Sequence, residues 1–397
     1  MGPLLQATNS TWVENMALTE IGLVLLGLGI AAFIAVRIKI SVVPFYLVIG
    51  LSLGKGGIVP LDLSETFLDT GAQLGAILLL LMLGLEHSGP NLASAFMERK
   101  SIGAIDFLLN AIPGAIIGLL LGWGILGAVV LGGITYVSSS GIASQMMKET
   151  GWQRSEVSRR VTTVLVVEDL TLAPYLPLLT TLVAGAGAIA GFLSVTVALL
   201  VTAVALIISF KGENALGKVL NTQAQGGLLL TVFGAALLAA GSAELVGFSS
   251  AVAAFLVGLI LTGEVALAVR IRLSPLRDLF AAIFFLFFGL SVSPAEMIQV
   301  LPLALLLAGL GIVGKMYVGW NIAKDMSDGS AWKRAGAFLI PRGEFSIVIA
   351  GLAASTSFGG QLQALTITYV LLTSLAASIV LRAVRSSFER ARAKSKA

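Results

Sequence analysis

The chain has 397 residues, 57% of them hydrophobic and only 12% charged, with a mean hydropathy of +0.98. Soluble globular domains carry roughly a quarter charged residues, so water is excluded as the main solvent and an all-α polytopic membrane protein is expected. The chain holds no cysteine and one histidine, His87. Disulfides, thiolate metal sites, cysteine nucleophiles and histidine clusters are therefore excluded, and no cofactor is expected. Its formal charge of +4 calls for no nucleic acid, because the distribution of basic residues along the loops accounts for it.

A helix crosses ~30 Å of hydrocarbon with about 20 apolar residues. Apolar runs between polar punctuation predict spans at 18–36, 41–54, 67–85, 102–122, 125–147 and 158–182, then at 186–210. The remainder are predicted at 226–243, 247–263, 276–292, 297–322, 333–355 and 360–381, about thirteen in all. Glu14 and Glu20 lie before and at the start of the first span with no Lys or Arg before it, so a retained helix is expected rather than a cleaved signal peptide. Loops on one side carry 22 of the 25 basic residues, the other side holds only Lys55, and Lys315 and Arg342 fall inside predicted spans. Cytoplasmic loops are enriched in Lys and Arg, which predicts an external amino terminus, a cytoplasmic carboxyl terminus and a multi-pass protein of the cell membrane.

Six spans, a seventh and six more is the order of an inverted repeat, since an odd number of helices before the second copy reverses it. The expected organisation is an external segment 1–17, a first repeat 18–182, a linker helix and loop 183–225, a second repeat 226–381 and a basic tail 382–397. Matching positions of the two repeats hold unusual helices. The fifth span contains Gly132, Gly133, Thr135, Ser138, Ser139, Ser140 and Gly141; its counterpart contains Pro341, Arg342, Gly343 and Glu344. Both are predicted to break. Broken backbone at membrane depth offers carbonyls and half-helix ends to an ion and is tolerated only beside protein or a cavity; a Ser/Gly packing seam is the simpler reading.

Glu168 and Asp169 lie side by side in the middle of the sixth span, five residues before Pro174 in the case of Asp169. One ionisable group at helix centre costs ~2.5 to 3.5 kcal/mol on insertion scales, so two together need a partner, a proton or a function. Pro174 lacks the N–H that would bond the Leu170 carbonyl, which exposes another oxygen near Asp169. Adjacent carboxylates repel, so proton and metal cation compete for one location. The expected cation and proton site is Asp169 with Glu168, Ser138, Ser139 and Thr135. Neighbours on a helix point about 100° apart, so Glu168 has a second reading as half of a permanent ion pair.

Lys315 has two readings, a counter-charge to the carboxylates or a side chain snorkelling to the cytoplasm. Arg342 and Glu344 do not share a face of an intact helix; Arg342 is assigned as partner for Glu168, or with Glu344 as a brace for the broken helix. Glu86, Asp106 and Asp278 lie near predicted cytoplasmic ends and are read as interface anchors, and His87 as a solvated loop residue.

Several short stretches together resemble the monovalent cation:proton antiporter-2 family, which includes Kef-type and Kht-type potassium:proton antiporters. They are Pro44 to Gly57, Leu83-Gly84-Leu85-Glu86, Ser138 to Ser140, Glu168-Asp169, Arg277-Asp278 with Phe284 to Gly289, and Arg342-Gly343-Glu344-Phe345. The resemblance implies a thirteen-helix sodium:proton-antiporter-like fold, a dimerisation domain and a mobile core, elevator-like alternating access, a homodimer, and Asp169 as the carboxylate for cation and proton. Glu-Asp is similar to the Kht-type pair, where Kef-type members commonly carry Gln-Asp and sodium-selective relatives Asp-Asp, which favours K+ over Na+. Lys315 resembles the lysine of some electrogenic sodium:proton antiporters. Kef-type chains continue into a nucleotide-binding regulatory domain, whereas this sequence stops at Ala397 after a short basic tail, so any such regulation is expected to come from a separate cytoplasmic subunit. The loops are too short for an ATP site, and the expected function is secondary exchange of K+ or Na+ for H+ with no enzymatic activity. A cation channel or a dedicated sodium:proton antiporter are the alternatives.

Overall fold

The computed structural model describes residues 2–38, 42–54, 56–57, 65–86, 89–185, 225–245 and 249–394, with isolated positions 196, 200, 204 and 207. All regular structure among them is helical. Lys39, Lys55, His87, Lys211 and Lys218 lie outside the described residues, as does most of the seventh predicted span and of the linker 183–225. Nine helical segments among the described residues are long and apolar enough to cross a membrane, and three shorter apolar ones are Val42–Leu53, Thr70–Leu85 and Ser250–Ile260.

In chain order the helices are α1 (Gly2–Ile38), α2 (Val42–Leu53), α3 (Glu65–Glu86), α4 (Gly89–Leu120), α5 (Gly124–Tyr136), α6 (Ser140–Thr150) and α7 (Glu156–Val183). They continue as α8 (Gln225–Leu245), α9 (Ser250–Ile260), α10 (Gly263–Leu290), α11 (Pro294–Ala323), α12 (Ala331–Leu339), α13 (Glu344–Leu352) and α14 (Gly359–Lys394). Helix ends follow local chemistry. Ser139, Ser155, Ser249 and Ser293 each accept a backbone N–H of the first turn of α6, α7, α9 and α11, and Ser293 forms a capping box with Glu296.

Four helices differ from the sequence expectation, the first being α1, which begins at Gly2 rather than 18 and takes in the expected external segment. α10 begins at Gly263 rather than near 276, and runs through Arg270, Arg272 and Arg277. Val265, Ala266, Val269 and Leu273 recur at helical spacing and are buried against α3 and α8, while Arg270 is exposed. An amphipathic turn thus extends the span beyond its apolar stretch. By the same logic α4 starts at Gly89 rather than 102, and α14 continues through the basic segment to Lys394.

The helices sort into two bundles. In one, α3 packs between α9 and α10, α2 packs on α10, and α1 and α8 lie outside. In the other, α11 and α4 embrace α5, α7, α12 and α14. Backbone approach in the first bundle is set by glycine. A methyl at Gly50 of α2 would collide with the Leu286 carbonyl of α10, and one at Gly289 with the Leu47 carbonyl at 2.5 Å. The α9 and α3 pair repeats the arrangement, with Gly258 against the Leu81 carbonyl and Gly84 against that of Phe255. Small residues permit such closeness in lipid, where there is no hydrophobic drive between helices.

The second bundle holds both interrupted helices. α5 stops at Tyr136, residues 137–139 are extended, and α6 starts at Ser140; α12 stops at Leu339 and α13 starts at Glu344. The interruptions cross. The Ser139 N–H donates to the Pro341 carbonyl at 2.8 Å, and the Ser346 hydroxyl donates to the Ile134 carbonyl at 2.9 Å. Gly343 fits there because a methyl would lie 2.6 Å from the Ser139 hydroxyl.

Candidate functional site: a cavity and a sealed ion cluster at a helix crossing

Two helix C-termini meet at the crossing, each carrying about half a negative charge on carbonyls without an intrahelical donor. Arg342 is fully buried between them. Its Nε and Nη2 donate to the Thr135 carbonyl at 3.1 and 2.8 Å, and its Nη1 to the carbonyls of Leu339 and Ile340 at 3.0 and 2.9 Å. A further bond runs from Nη2 to the Asn110 Oδ1 at 3.3 Å. One guanidinium therefore caps both broken helices. The expected pairing with Glu168 is not formed, because planar N–H donors match converging carbonyls and none is left aimed at the acid.

Glu168 pairs instead with Lys315. The Lys315 Nζ lies 3.0 Å from Glu168 Oε1 and 2.7 Å from Asp106 Oδ1, with all three side chains buried. Snorkelling is thereby excluded for Lys315. The tyrosine ring of Tyr136 lies 5.6 Å from the ammonium, a further cation–π contact. Glu168 also receives the Ser138 N–H at its Oε2, while the Ser138 hydroxyl lies 3.2 Å from Oε1 and 2.9 Å from the Leu339 carbonyl. Asp106 is not the interface anchor that its place near a predicted span end suggested. α4 starts at Gly89, which sets Asp106 more than four turns inside the helix, and the residue is wholly buried.

Asp169 turns the other way, as adjacent residues on a helix must. It lines a cavity of about 690 Å³ with Thr162 and Val166 on the same face of α7. The opposing walls carry Ser140, Ser144, Gln145 and Lys148 of α6, Glu344 and Phe345 of α13, Leu79, Met82 and Leu83 of α3, and Arg270 and Arg277 of α10. The cavity thus lies between the two bundles, and its basic residues belong to the side that the loops mark as rich in Lys and Arg. Glu344 opens α13, where the helix dipole favours a carboxylate, and its Oε2 accepts the Ser139 hydroxyl at 2.8 Å.

The sequence-derived set is therefore divided. Asp169 and Glu344 face the cavity, and Ser139 borders it through Glu344. Ser138 and Glu168 face the sealed cluster. Thr135 donates from its hydroxyl to the Asn110 carbonyl at 2.8 Å, within 2.9 Å of the Leu131 carbonyl, and so belongs to the packing of α4 on α5. Sequence reasoning missed the cavity residues Ser144, Gln145 and Thr162, and in the cluster Asp106 and Asn110. A signal existed for the last two, an acid and an amide four residues apart in an otherwise apolar span, hence on one face of a helix.

Crossed broken helices, buried ion pairs and a polar cavity holding a carboxylate between two bundles define a multi-helix membrane protein of the secondary-transporter type. The chain belongs to the family described as sodium/hydrogen exchanger, transmembrane, whose pattern it matches over residues 22–385. It is 29% identical to the K(+)/H(+) antiporter subunit KhtU of Bacillus subtilis, with 91% of this chain and 92% of the relative covered. The Ammonium/H(+) antiporter subunit AmhT of Alkalihalophilus pseudofirmus is 30% identical, with 89% and 90% covered. The glutathione-regulated potassium-efflux system protein KefC of Klebsiella pneumoniae is 31% identical across 92% of this chain but only 60% of its own length. The sodium proton antiporter MjNhaP1 of Methanocaldococcus jannaschii shares the fold, with a TM-score of 0.66 at 19% identity over 91% of this chain and 95% of that one.

Proposed function

We propose that the chain exchanges a monovalent cation for protons by alternating access, with Asp169 binding either the cation or the proton. The observation that carries this is the opposite orientation of two adjacent acids. Glu168 is neutralised by Lys315 and a backbone N–H, whereas Asp169 faces a polar cavity between the bundles. A carboxylate there, with the hydroxyls of Ser140, Ser144 and Thr162 close by in the same cavity, suits a weakly hydrated cation that must enter and leave. The names of the relatives support K+, NH4+ or Na+ as cargo, and the Glu-Asp pair favours K+. The basic residues at the cavity support the reading of an inward-facing state in a cell membrane, with the amino terminus outside. A homodimer formed through the first bundle, and a cytoplasmic regulatory subunit, complete the reading.

Proteoliposomes carrying an internal pH dye and challenged in turn with K+, NH4+, Na+, Li+ and Rb+ test it. Wild type should show cation-dependent proton flux without single-channel currents. Asp169→Asn should abolish that flux while the protein remains folded; wild-type rates in this variant would remove Asp169 from the mechanism.

A further inference from the structure

Three ionisable groups, Lys315, Glu168 and Asp106, share one sealed pocket beside the crossing, and none is exposed beyond 1%. One ammonium faces two carboxylates. With all three ionised the pocket would hold a net negative charge out of reach of water, and an uncompensated buried ion costs several kcal/mol. The hydrogen bonds distinguish the two acids. Glu168 receives Lys315 at Oε1 and the Ser138 N–H at Oε2, so both of its oxygens have donors. Asp106 receives Lys315 and the Asn110 amide at Oδ1, at 2.7 and 2.9 Å, while its buried Oδ2 has no hydrogen-bond partner among the described residues. The other groups that face the pocket are Tyr136, whose ring borders Lys315, and Arg342, which reaches Asp106 only through Asn110.

We infer that Asp106 is a second proton-binding carboxylate, protonated at Oδ2 while Lys315 is paired with ionised Glu168, and that its deprotonation sets the pH response of the cation site. The inference rests on the antiporter reading. A proton leaving Oδ2 turns the pocket from neutral to negative. That charge acts through Lys315 and Glu168 on Asp169, the next residue of α7, which lies outside the sealed pocket. Asp106 is thus a positioning and pH-setting residue, and it does not touch the cation.

The test uses the full-length protein in proteoliposomes with K+ as probe cation, together with pH-jump difference infrared spectra that report the carbonyl stretch of protonated carboxyl groups. Wild type is expected to show separate acid bands for Asp106 and Asp169. Asp106→Asn should lose one band, retain K+-dependent proton flux and shift its half-maximal pH downward, because no negative charge then develops near Asp169 to hold its proton. A purely structural Asp106 would lower rate or yield equally at every pH and leave the acid bands unchanged; that outcome overturns the inference. If Asp106→Asn is not recovered folded, Asp106→Glu decides. A displaced acid band supports the assignment, and a spectrum superimposable on wild type rejects it. Asp169→Asn separates the two readings, because normal flux in that variant defeats the antiporter site while the Asp106 band still reports on the pocket.

Discussion

Arg342 and Lys315 are both fully buried cations, yet they are neutralised by different means. Arg342 is held by the carbonyls of Thr135, Leu339 and Ile340, Lys315 by the Glu168 carboxylate with the Asp106 carboxyl group beside it. The difference predicts opposite results in double-mutant cycles read by thermal unfolding in detergent. Lys315→Gln strands the buried Glu168 carboxylate and should destabilise by on the order of 3–5 kcal/mol, with a large part recovered when Glu168→Gln is combined with it. Arg342→Gln should also destabilise, since each buried carbonyl left without a donor costs about 1–3 kcal/mol. Its effect should add to that of Glu168→Gln with no coupling. Coupling between Arg342 and Glu168 as strong as that between Lys315 and Glu168 would contradict the geometry.

Among the elements, the interrupted helices and the glycine contacts make predictions that neighbouring controls sharpen. Gly50→Ala places a methyl against the Leu286 carbonyl and Gly343→Ala one against Ser139, whereas a methyl at Gly29 has nothing within 4 Å among the described residues. Overpacking of a close backbone contact costs about 1–3 kcal/mol. The first two variants should melt lower than wild type and Gly29→Ala should not; Gly343→Ala should in addition lose exchange, because it parts the crossing. Both interruptions were legible in the sequence, since Gly132 to Gly141 and Pro341 to Gly343 are runs that a continuous helix tolerates poorly. The acids of α7 were legible too, as charges isolated in an apolar span. The start of α10 was not, because an amphipathic stretch with two arginines, Arg270 and Arg272, resembles a loop when only mean hydropathy is read. Nor was the role of Arg342. A sequence displays charged side chains, and the partners here are main-chain carbonyls brought together by a fold that spans 207 residues between Arg342 and Thr135. Asp106 escaped for the related reason that its helix begins well before its apolar stretch.

For the molecule as a whole, the polar cavity lies where one bundle faces the other, with Leu79, Met82 and Leu83 of α3 across from Asp169. If Asp169 is exposed alternately, as proposed, the motion belongs at that boundary, because within the first bundle backbone touches backbone at Gly50, Gly84, Gly258 and Gly289. The crossing has a further consequence. Its two interruptions are tied by main-chain and side-chain bonds from Ser139, Ser346 and Arg342, so they form a rivet that carries α6 and α12 as a single lever. The chain has no cysteine, and spin labels can therefore be introduced in pairs without removing any native thiol. Lys148→Cys with Lys333→Cys, both on the riveted part, should give one interlabel distance whatever the pH or cation. Ile271→Cys with Lys333→Cys spans the boundary and should give two distances whose proportions change with both. A single unchanging distance for the second pair would mean that the bundles do not move past each other, whereas a split distribution for the first would mean that the rivet itself is the hinge.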